Sequence, residues 1–375
     1  MLFQHVAIAG LAHIDAPRRL SSDELNARLK PTLDKLGIRY DVFNDIAGIN
    51  ARRLWDGDIK ASDAATLAGV KALADAGIDP DKVGLLVNTS VSRDYLEPST
   101  ASIVSGNLGL SEECQNFDVA NACLAFINGM DIASRMIERG EIDYALVVDG
   151  ETADLAYEKT IERMTRADVT AEDFRNELAT LTLGSGAAAM VMARAELAPG
   201  APRYRGGVTR AATEWNKLCR GNLDGMITDT RTLLIEGVKL AQKTFQVASQ
   251  KLGWVVGELD EFVIHQVSKA HTKAFTRAMG IDPKKVMTIF GEHGNIGPAS
   301  VPIVLSKLRE QGRLKKGNRI ALLGIGCVVS LVVSLLVIKG LMEYVRKRSF
   351  KVFGIYRIAL GALVIGYFVI KTIVA

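Results

Sequence analysis

Short, fully apolar runs of strand length recur along this chain, each separated from the next by a helix-patterned segment, and that alternation sets the fold class. The runs lie at 6–10, 83–88 (VGLLVN), 144–149 (YALVVD) and 187–193 (AAAMVMA). After a Pro-containing stretch at 198–202 a comparable order begins again, with runs at 204–208, 262–264 and 319–323. Between them, helices are predicted over 22–36, 61–76, 123–139, 228–252, 268–279 and 300–311, with Ser22 and Ser62 as caps of the first two. Strands without a polar face must be covered on both sides, which predicts largely parallel sheets sandwiched by helices. Two successive halves of similar order predict a duplicated α/β architecture, 1–195 and 196–326, with 327–375 standing apart.

Composition narrows the function classes. A chain of 375 residues with 48% hydrophobic and 23% charged residues is globular and large enough for a sizeable core. Its four Cys (114, 123, 219 and 327) show no paired spacing, which predicts a reducing, cytoplasmic setting without disulfides. Its five His form no metal-binding pattern, and no metal is expected. The N-terminus lacks a basic leader and reads as a first strand. The formal net charge of +4 comes from the tail, because residues 328–375 hold seven Lys/Arg against the single acid Glu343. The rest is close to neutral, so nucleic acid is not an expected partner.

Cys123 stands at the corner between a short strand (117–120) and the helix that follows, in DVANACLAFINGM. The N–H groups at a helix start favour a thiolate, the form that attacks a carbonyl carbon. The same position also suits a small packing residue. His265 ends an apolar strand in VIHQV, the edge where open α/β sheets place their chemistry. Asn295 lies in the glycine-rich GEHGNIGP, which permits close backbone approach and offers a neutral donor. Cys, His and Asn form a sensible acyl-transfer set: a thiolate for a thioester and donors for the oxygen that turns negative. His293 reads as a loop residue and His271 as a helix-surface one.

The motifs Asn121-Ala-Cys123, Val263-Ile-His-Gln266 and Gly294-Asn-Ile-Gly297 resemble the thiolase superfamily of acyl-condensing enzymes, and the resemblance covers residues 1–326. Within it the chain is similar to the branch that joins two fatty acyl-CoA molecules head to head. The resemblance implies a duplicated, five-layer αβαβα fold, a homodimer, coenzyme A thioesters as substrates with no further cofactor, and downstream olefin-biosynthesis enzymes as partners. It implies Cys123 as the acylated nucleophile, with His265 and Asn295 completing the site. Glu97, in RDYLEPS, matches the glutamate that reaches across from the partner subunit to deprotonate the second acyl chain. A simple acyl-CoA has no CO₂ to lose, so its carbanion needs a base. Arg52, Trp55 and Trp215 resemble positions that hold the CoA nucleotide. A decarboxylating 3-oxoacyl-acyl-carrier-protein synthase III is the alternative enzyme.

The tail departs from that pattern. Residues 320–338 are 19 in a row without a charge, long enough to span a bilayer. A second apolar run (358–370) follows the basic connection RKRSFK, and residues from 328 resemble the last two membrane helices of undecaprenyl-diphosphate phosphatase. That family's catalytic motifs lie elsewhere, so no phosphatase activity follows. The expectation is a foreign, membrane-associating tail over 320–375 and loss of the condensing fold's final loop and strand. An inactive membrane-associated fusion is the non-enzymatic reading.

Overall fold

The computed structural model describes residues 2–222, 224–325 and 330–337. The first half runs β1 (Val6–Asp15), β2 (Arg18–Ser21), α1 (Ser22–Leu36), β3 (Ala51–Leu54), α2 (Ala61–Ala76), β4 (Leu85–Asn88) and α3 (Thr100–Leu108). It continues through β5 (Gln115–Asp118), α4 (Ala125–Glu138), β6 (Tyr144–Glu151), α5 (Asp154–Met164), α6 (Ala171–Glu177) and β7 (Gly186–Arg194). The second half holds β8 (Arg203–Ala211), the pair β9 (Cys219–Asn222) and β10 (Gly225–Thr228), α7 (Thr230–Leu252) and β11 (Glu261–Ile264). It ends with α8 (Lys269–Met279), α9 (Phe290–His293), α10 (Ser300–Glu310), β12 (Arg319–Ile325) and β13 (Ser330–Val337).

Nine strands hydrogen-bond in the order β11-β12-β13-β8-β1-β7-β6-β4-β5. The pairing shows the internal duplication. In the first half β4 runs parallel to β6, and β6–β7 and β7–β1 are antiparallel. In the second, β11 runs parallel to β12, and β12–β13 and β13–β8 are antiparallel. The sheets are therefore mixed, not largely parallel as the apolar runs predict. Apolar residues on both faces report burial, not strand direction. β7 is buried along nearly its whole length yet runs antiparallel to both neighbours.

Alternation along the strands sorts the core into layers. Leu85 and Val87 of β4, and Ile320 and Leu322 of β12, share one cluster with Phe126, Ile127 and Met130 of α4 and Val304, Leu305 and Leu308 of α10. Leu86 turns instead to the alanine face of α2, and Ala321 and Leu323 turn to α7 and α8. Helices α4 and α10 thus lie between the two strand sets, with α2 outside one set and α7 and α8 outside the other. That is the αβαβα layering. The alanines of α2 permit this close approach, with Ala64, Ala65, Ala68 and Ala72 all fully buried.

Three expectations about local structure change. The cap of α1 is Ser21, which accepts from Glu24 N at 3.1 Å while Glu24 accepts from Ser21 N at 2.8 Å; Ser22 is buried and donates to Ile49 O. At α2 the Lys60 N–H is satisfied by Asp63, and Ser62 serves a loop described below. The largest change concerns 320–338. Instead of one membrane helix, this run forms two antiparallel strands, with Arg319 opposite Val337 and Ile325 opposite Leu331. β13 fills the slot between β12 and β8, so the expected loss of a final strand does not occur. Its sequence, SLVVSLLV, is rich in β-branched residues, which favour a pleated strand over a helix. The strand β13 accordingly belongs with the body of the fold, past the expected boundary at 327. Among the described residues no helix is long and apolar enough to cross a membrane. The second apolar run at 358–370 lies outside the described residues.

Candidate active site

Cys123 sits on a tight turn between β5 and α4. Asn121 is extended in φ (−139°), Ala122 takes a left-handed φ of 46°, and one 3-10 turn (Ala122–Leu124) leads into α4. Ala122 is the one non-glycine residue with positive φ among the described residues, a conformation that costs an L-residue about 1–2 kcal/mol. The turn is held from beneath. Gly324 at the end of β12 lies so close that an added Cβ would meet Leu124 Cδ2 at 2.9 Å and Cys123 O at 3.6 Å. The turn also packs against residues 297–299. Cys123 itself is half-buried.

His265 follows directly on β11 and extends its ladder, donating its N–H to Leu323 O at 2.7 Å. Its Nδ1 lies 2.9 Å from Ser300 Oγ, and Ser300 Oγ donates to Gly297 O at 2.9 Å. With the hydroxyl proton committed to that carbonyl, Ser300 accepts from Nδ1–H, which leaves the Nε2 lone pair free. Burial pushes the His265 pKa down to about 4, so the ring is neutral at neutral pH. The adjacent Gln266 is fully buried and pins the following segment, donating to Met287 O and accepting from Ile289 and Phe290 N–H.

Asn295 is buried, and its backbone is locked to the first half: its N–H donates to Thr182 O and its carbonyl accepts from Gly184 N, both at 2.9 Å. Gly184 is obligatory there, because an added Cβ would fall 1.9 Å from His293 O. The Asn295 Oδ1 accepts from Gly297 N at 3.1 Å, which aims the amide nitrogen away from its own loop. The Cys123 turn, His265 and Asn295 thus converge on residues 297–300 and the end of β12, although they come from both halves of the chain.

Glu97 is not brought into that cluster by its own chain. It is exposed on the loop 89–99, preceded by Tyr95 and by Leu96, which is 88% exposed. The loop is nonetheless clamped. At its start Glu151 accepts from Val91 N (2.7 Å), Ser92 N (3.1 Å) and Ser92 Oγ (2.6 Å). In its middle Asp94 accepts from Ser62 N and Oγ, and Lys60 Nζ donates to Tyr95 Oη. At its end Asp118 accepts from Thr100 and Ala101 N–H, and Ser99 caps α3.

Two of the expected nucleotide contacts do not fit. Arg52 is fully buried, its Nη1 donates to Ser22 Oγ at 3.3 Å, and its guanidinium lies over the Phe43 ring. Burial lowers its pKa from the ordinary value. Trp55 is buried with Nε1 donating to Glu151 O at 2.9 Å. Neither offers a surface to a nucleotide. Trp215 lies half-buried on an exposed 3-10 turn (Thr213–Trp215). His271 is not a surface residue either: its Nδ1 is buried without a partner, and burial, then nearby His265, press its pKa down to about 4. His293 approaches Asp15 Oδ1 at 3.3 Å in a cluster with Lys307.

Asp149 and Glu151 are buried carboxyl groups beneath the Glu97 loop that the motifs do not single out. Both are buried at the end of β6, two residues apart and therefore on one face. Charged residues closing an apolar strand are the signal that finds them. Burial, then the neighbouring Glu151, hold the Asp149 carboxyl well above the usual carboxylate range. Burial also raises Glu151, opposed by the donors of Ser92 and Val91.

Residues 117–202 match the family model described as 3-oxoacyl-[acyl-carrier-protein] synthase III, and residues 249–338 match the model of its C-terminal part. The chain is 78% identical over 326 residues to the acyl-CoA:acyl-CoA alkyltransferase of Xanthomonas campestris pv. campestris, covering 87% of this chain and 96% of the relative. The cerulenin-bound crystal structure of Xanthomonas campestris OleA superimposes with a TM-score of 0.89 at 75% identity, covering 90% of this chain and 98% of that one. A cysteine-to-serine variant of the same enzyme, with bound lauric acid and lauroyl-CoA, superimposes with a TM-score of 0.88 at 75% identity, covering 89% and 99%. Other structures of that enzyme carry replacements at a glutamate, a cysteine and a histidine.

Proposed function

The chain belongs to the OleA family of acyl-CoA:acyl-CoA alkyltransferases, acyltransferases of thiolase-like fold, and on that premise we propose that it joins two long-chain fatty acyl-CoA molecules into a 2-alkyl-3-oxoalkanoic acid. The observation that carries this reading is the strained Cys123 turn set against the Asn295–Gly297 loop and the neutral His265. The glutamate, cysteine and histidine replaced in the OleA structures are spaced along that chain as Glu97, Cys123 and His265 are here.

The reaction begins at Cys123. His265 Nε2, with its lone pair free, takes the thiol proton, and the thiolate attacks the thioester carbonyl of the first acyl-CoA. The tetrahedral oxyanion is met by the protonated His265, the Asn295 amide and the Cys123 N–H, which lies in the turn where helix N–H groups lack intrahelical partners. CoA leaves as its thiol and Cys123 keeps the acyl group. In the second stage Glu97, from a second copy of the chain in a homodimer, removes the α-proton of another acyl-CoA. The enolate carbon attacks the acyl-Cys123 carbonyl, a C–C bond forms and the Cys123 thiolate departs. Water then cleaves the remaining thioester to release CoA and the β-keto acid, which suits a downstream enzyme of olefin biosynthesis. Supply of acyl-CoA places this work in the cytoplasm.

The test is a product assay by mass spectrometry on the full chain with one long-chain acyl-CoA, with Cys123→Ala as control. Condensed β-keto acid, or the ketone left after loss of CO₂, is the expected result. Free fatty acid alone, or product formed only when a malonyl thioester is added, would overturn the reading in favour of hydrolysis or of a decarboxylating synthase.

A further inference from the structure

Glu151 lies between two parts of the site that otherwise do not touch through hydrogen bonds. On one side it accepts three hydrogen bonds from Val91 and Ser92 at the foot of the loop that carries Glu97. On the other it packs against Gly297: a Cβ added there would lie 3.6 Å from the Glu151 carboxyl carbon and from its Oε1. Ser92 is itself fixed, since its Oγ also accepts from Thr152 N at 3.0 Å. Asp149 supports Glu151 from below. Its Oδ2 accepts from Thr89 Oγ1 at 2.6 Å, and its Oδ1 meets no donor. A buried carboxyl oxygen without a donor favours the protonated form of Asp149.

We infer that the Asp149–Glu151 carboxyl pair is a positioning device for the loop 91–98, setting where Glu97 is presented to a second copy of the chain. The inference rests on the proposed role of Glu97 across a dimer interface. Glu151 reaches Val91 and Ser92 through charge-assisted hydrogen bonds, which are stronger and more directional than neutral ones. Its contact with Gly297 is van der Waals only. Replacing the carboxylate by an amide of the same shape therefore keeps the packing against Gly297. The amide keeps one acceptor oxygen, so either Val91 N on Oε1 or the Ser92 N–H and hydroxyl on Oε2 face an NH2 group and lose their acceptor. The consequence belongs to condensation at the partner's Cys123 and not to acylation of the same chain's Cys123.

Mixed dimers separate these effects. A Cys123→Ala chain keeps its Glu97 loop but has no nucleophile, and a Glu97→Ala chain keeps its nucleophile but has no base. Co-expressed, they leave one productive site, made of Cys123 from the second chain and the loop from the first. Adding Glu151→Gln to the Cys123→Ala chain is expected to lower coupled product about ten- to a hundredfold. Adding it to the Glu97→Ala chain is expected to leave the product within about twofold, because that chain's loop is already idle. Equal losses from either placement, or a loss only from the second, would overturn the inference. If the two single variants fail to complement before Glu151 is touched, the cross-subunit reading fails, and the inference falls with it. Should Glu151→Gln not fold, Ser92→Ala removes the hydroxyl that donates to Glu151 and accepts from Thr152 N, and Ser92→Thr restores it. Loss of coupled product with Ser92→Ala on the loop-donating chain, recovered with Ser92→Thr, is the expected pattern, and no difference between the two would overturn the proposal.

Discussion

The interior cluster and the Glu97 loop present opposite solutions to holding a reactive group. Cys123, His265 and Asn295 stand on backbone fixed by both halves of the chain, through Leu323 O, Thr182 O, Gly184 N and the packing of Gly324. Their surroundings are dry enough to keep an imidazole neutral. Glu97 stands on an exposed loop whose order comes only from its feet and flank, through Glu151, Asp94 and Asp118. A nucleophile and its donors gain from a preorganised, low-dielectric site. A group that must serve another chain has to project, so its position is set by clamps beneath it. On the proposed mechanism the difference divides the labour: acylation is built into one chain, and condensation is completed by another.

That division can be broken from either side. Cys123→Ala is expected to abolish both the acyl adduct and the coupled product, read by intact-protein and product mass spectrometry. Glu97→Ala is expected to lower coupled product by roughly a hundredfold or more, the usual weight of a general base, while CoA release in the first turnover persists. Gly297→Ala is expected to slow both stages and to lower stability by about 1–2 kcal/mol in chemical denaturation, because φ is +52° there, a left-handed backbone that strains an L-residue. Asp94→Asn touches only the loop's flank, so a smaller loss is expected, confined to coupled product.

Acid sharpens the same contrast. His265 has its pKa lowered from 6.5 to about 4 by burial, so the unfolded chain binds a proton in that window and the folded chain does not. Its contribution is therefore complete above pH 6.5 and is lost as pH falls toward 4, by about 3 kcal/mol at most. His271 adds a loss of the same sign. Denaturation midpoints should fall over that range, and His265→Asn should flatten part of the slope.

Much of this was legible in the sequence, for identifiable reasons. Apolar runs located the strands because burial on both faces leaves no polar alternation, but they could not give strand direction, and β7 is antiparallel where a parallel neighbour was expected. Cys123, His265 and Asn295 lie in short motifs at element ends, so their neighbourhood was readable. The Ser300 contact that fixes the His265 tautomer joins residues 35 apart and was not. Arg52 and Trp55 look like surface recognition residues in one dimension and are core residues in three. The uncharged run at 320–338 fitted a membrane helix by length alone. Strand pairing on both sides of β13, available only once β8 and β12 are in place, decides against it.

The measurement that bears most directly on this division is intact-protein mass spectrometry of the Glu97→Ala chain after mixing with one equivalent of lauroyl-CoA. An acyl adduct on Cys123 should appear and persist, with one CoA released and no coupled product. Absence of the adduct would mean that acylation depends on Glu97, and undiminished coupled product would mean that another group removes the α-proton. Either result would contradict the separation of the two stages between the interior cluster and the loop.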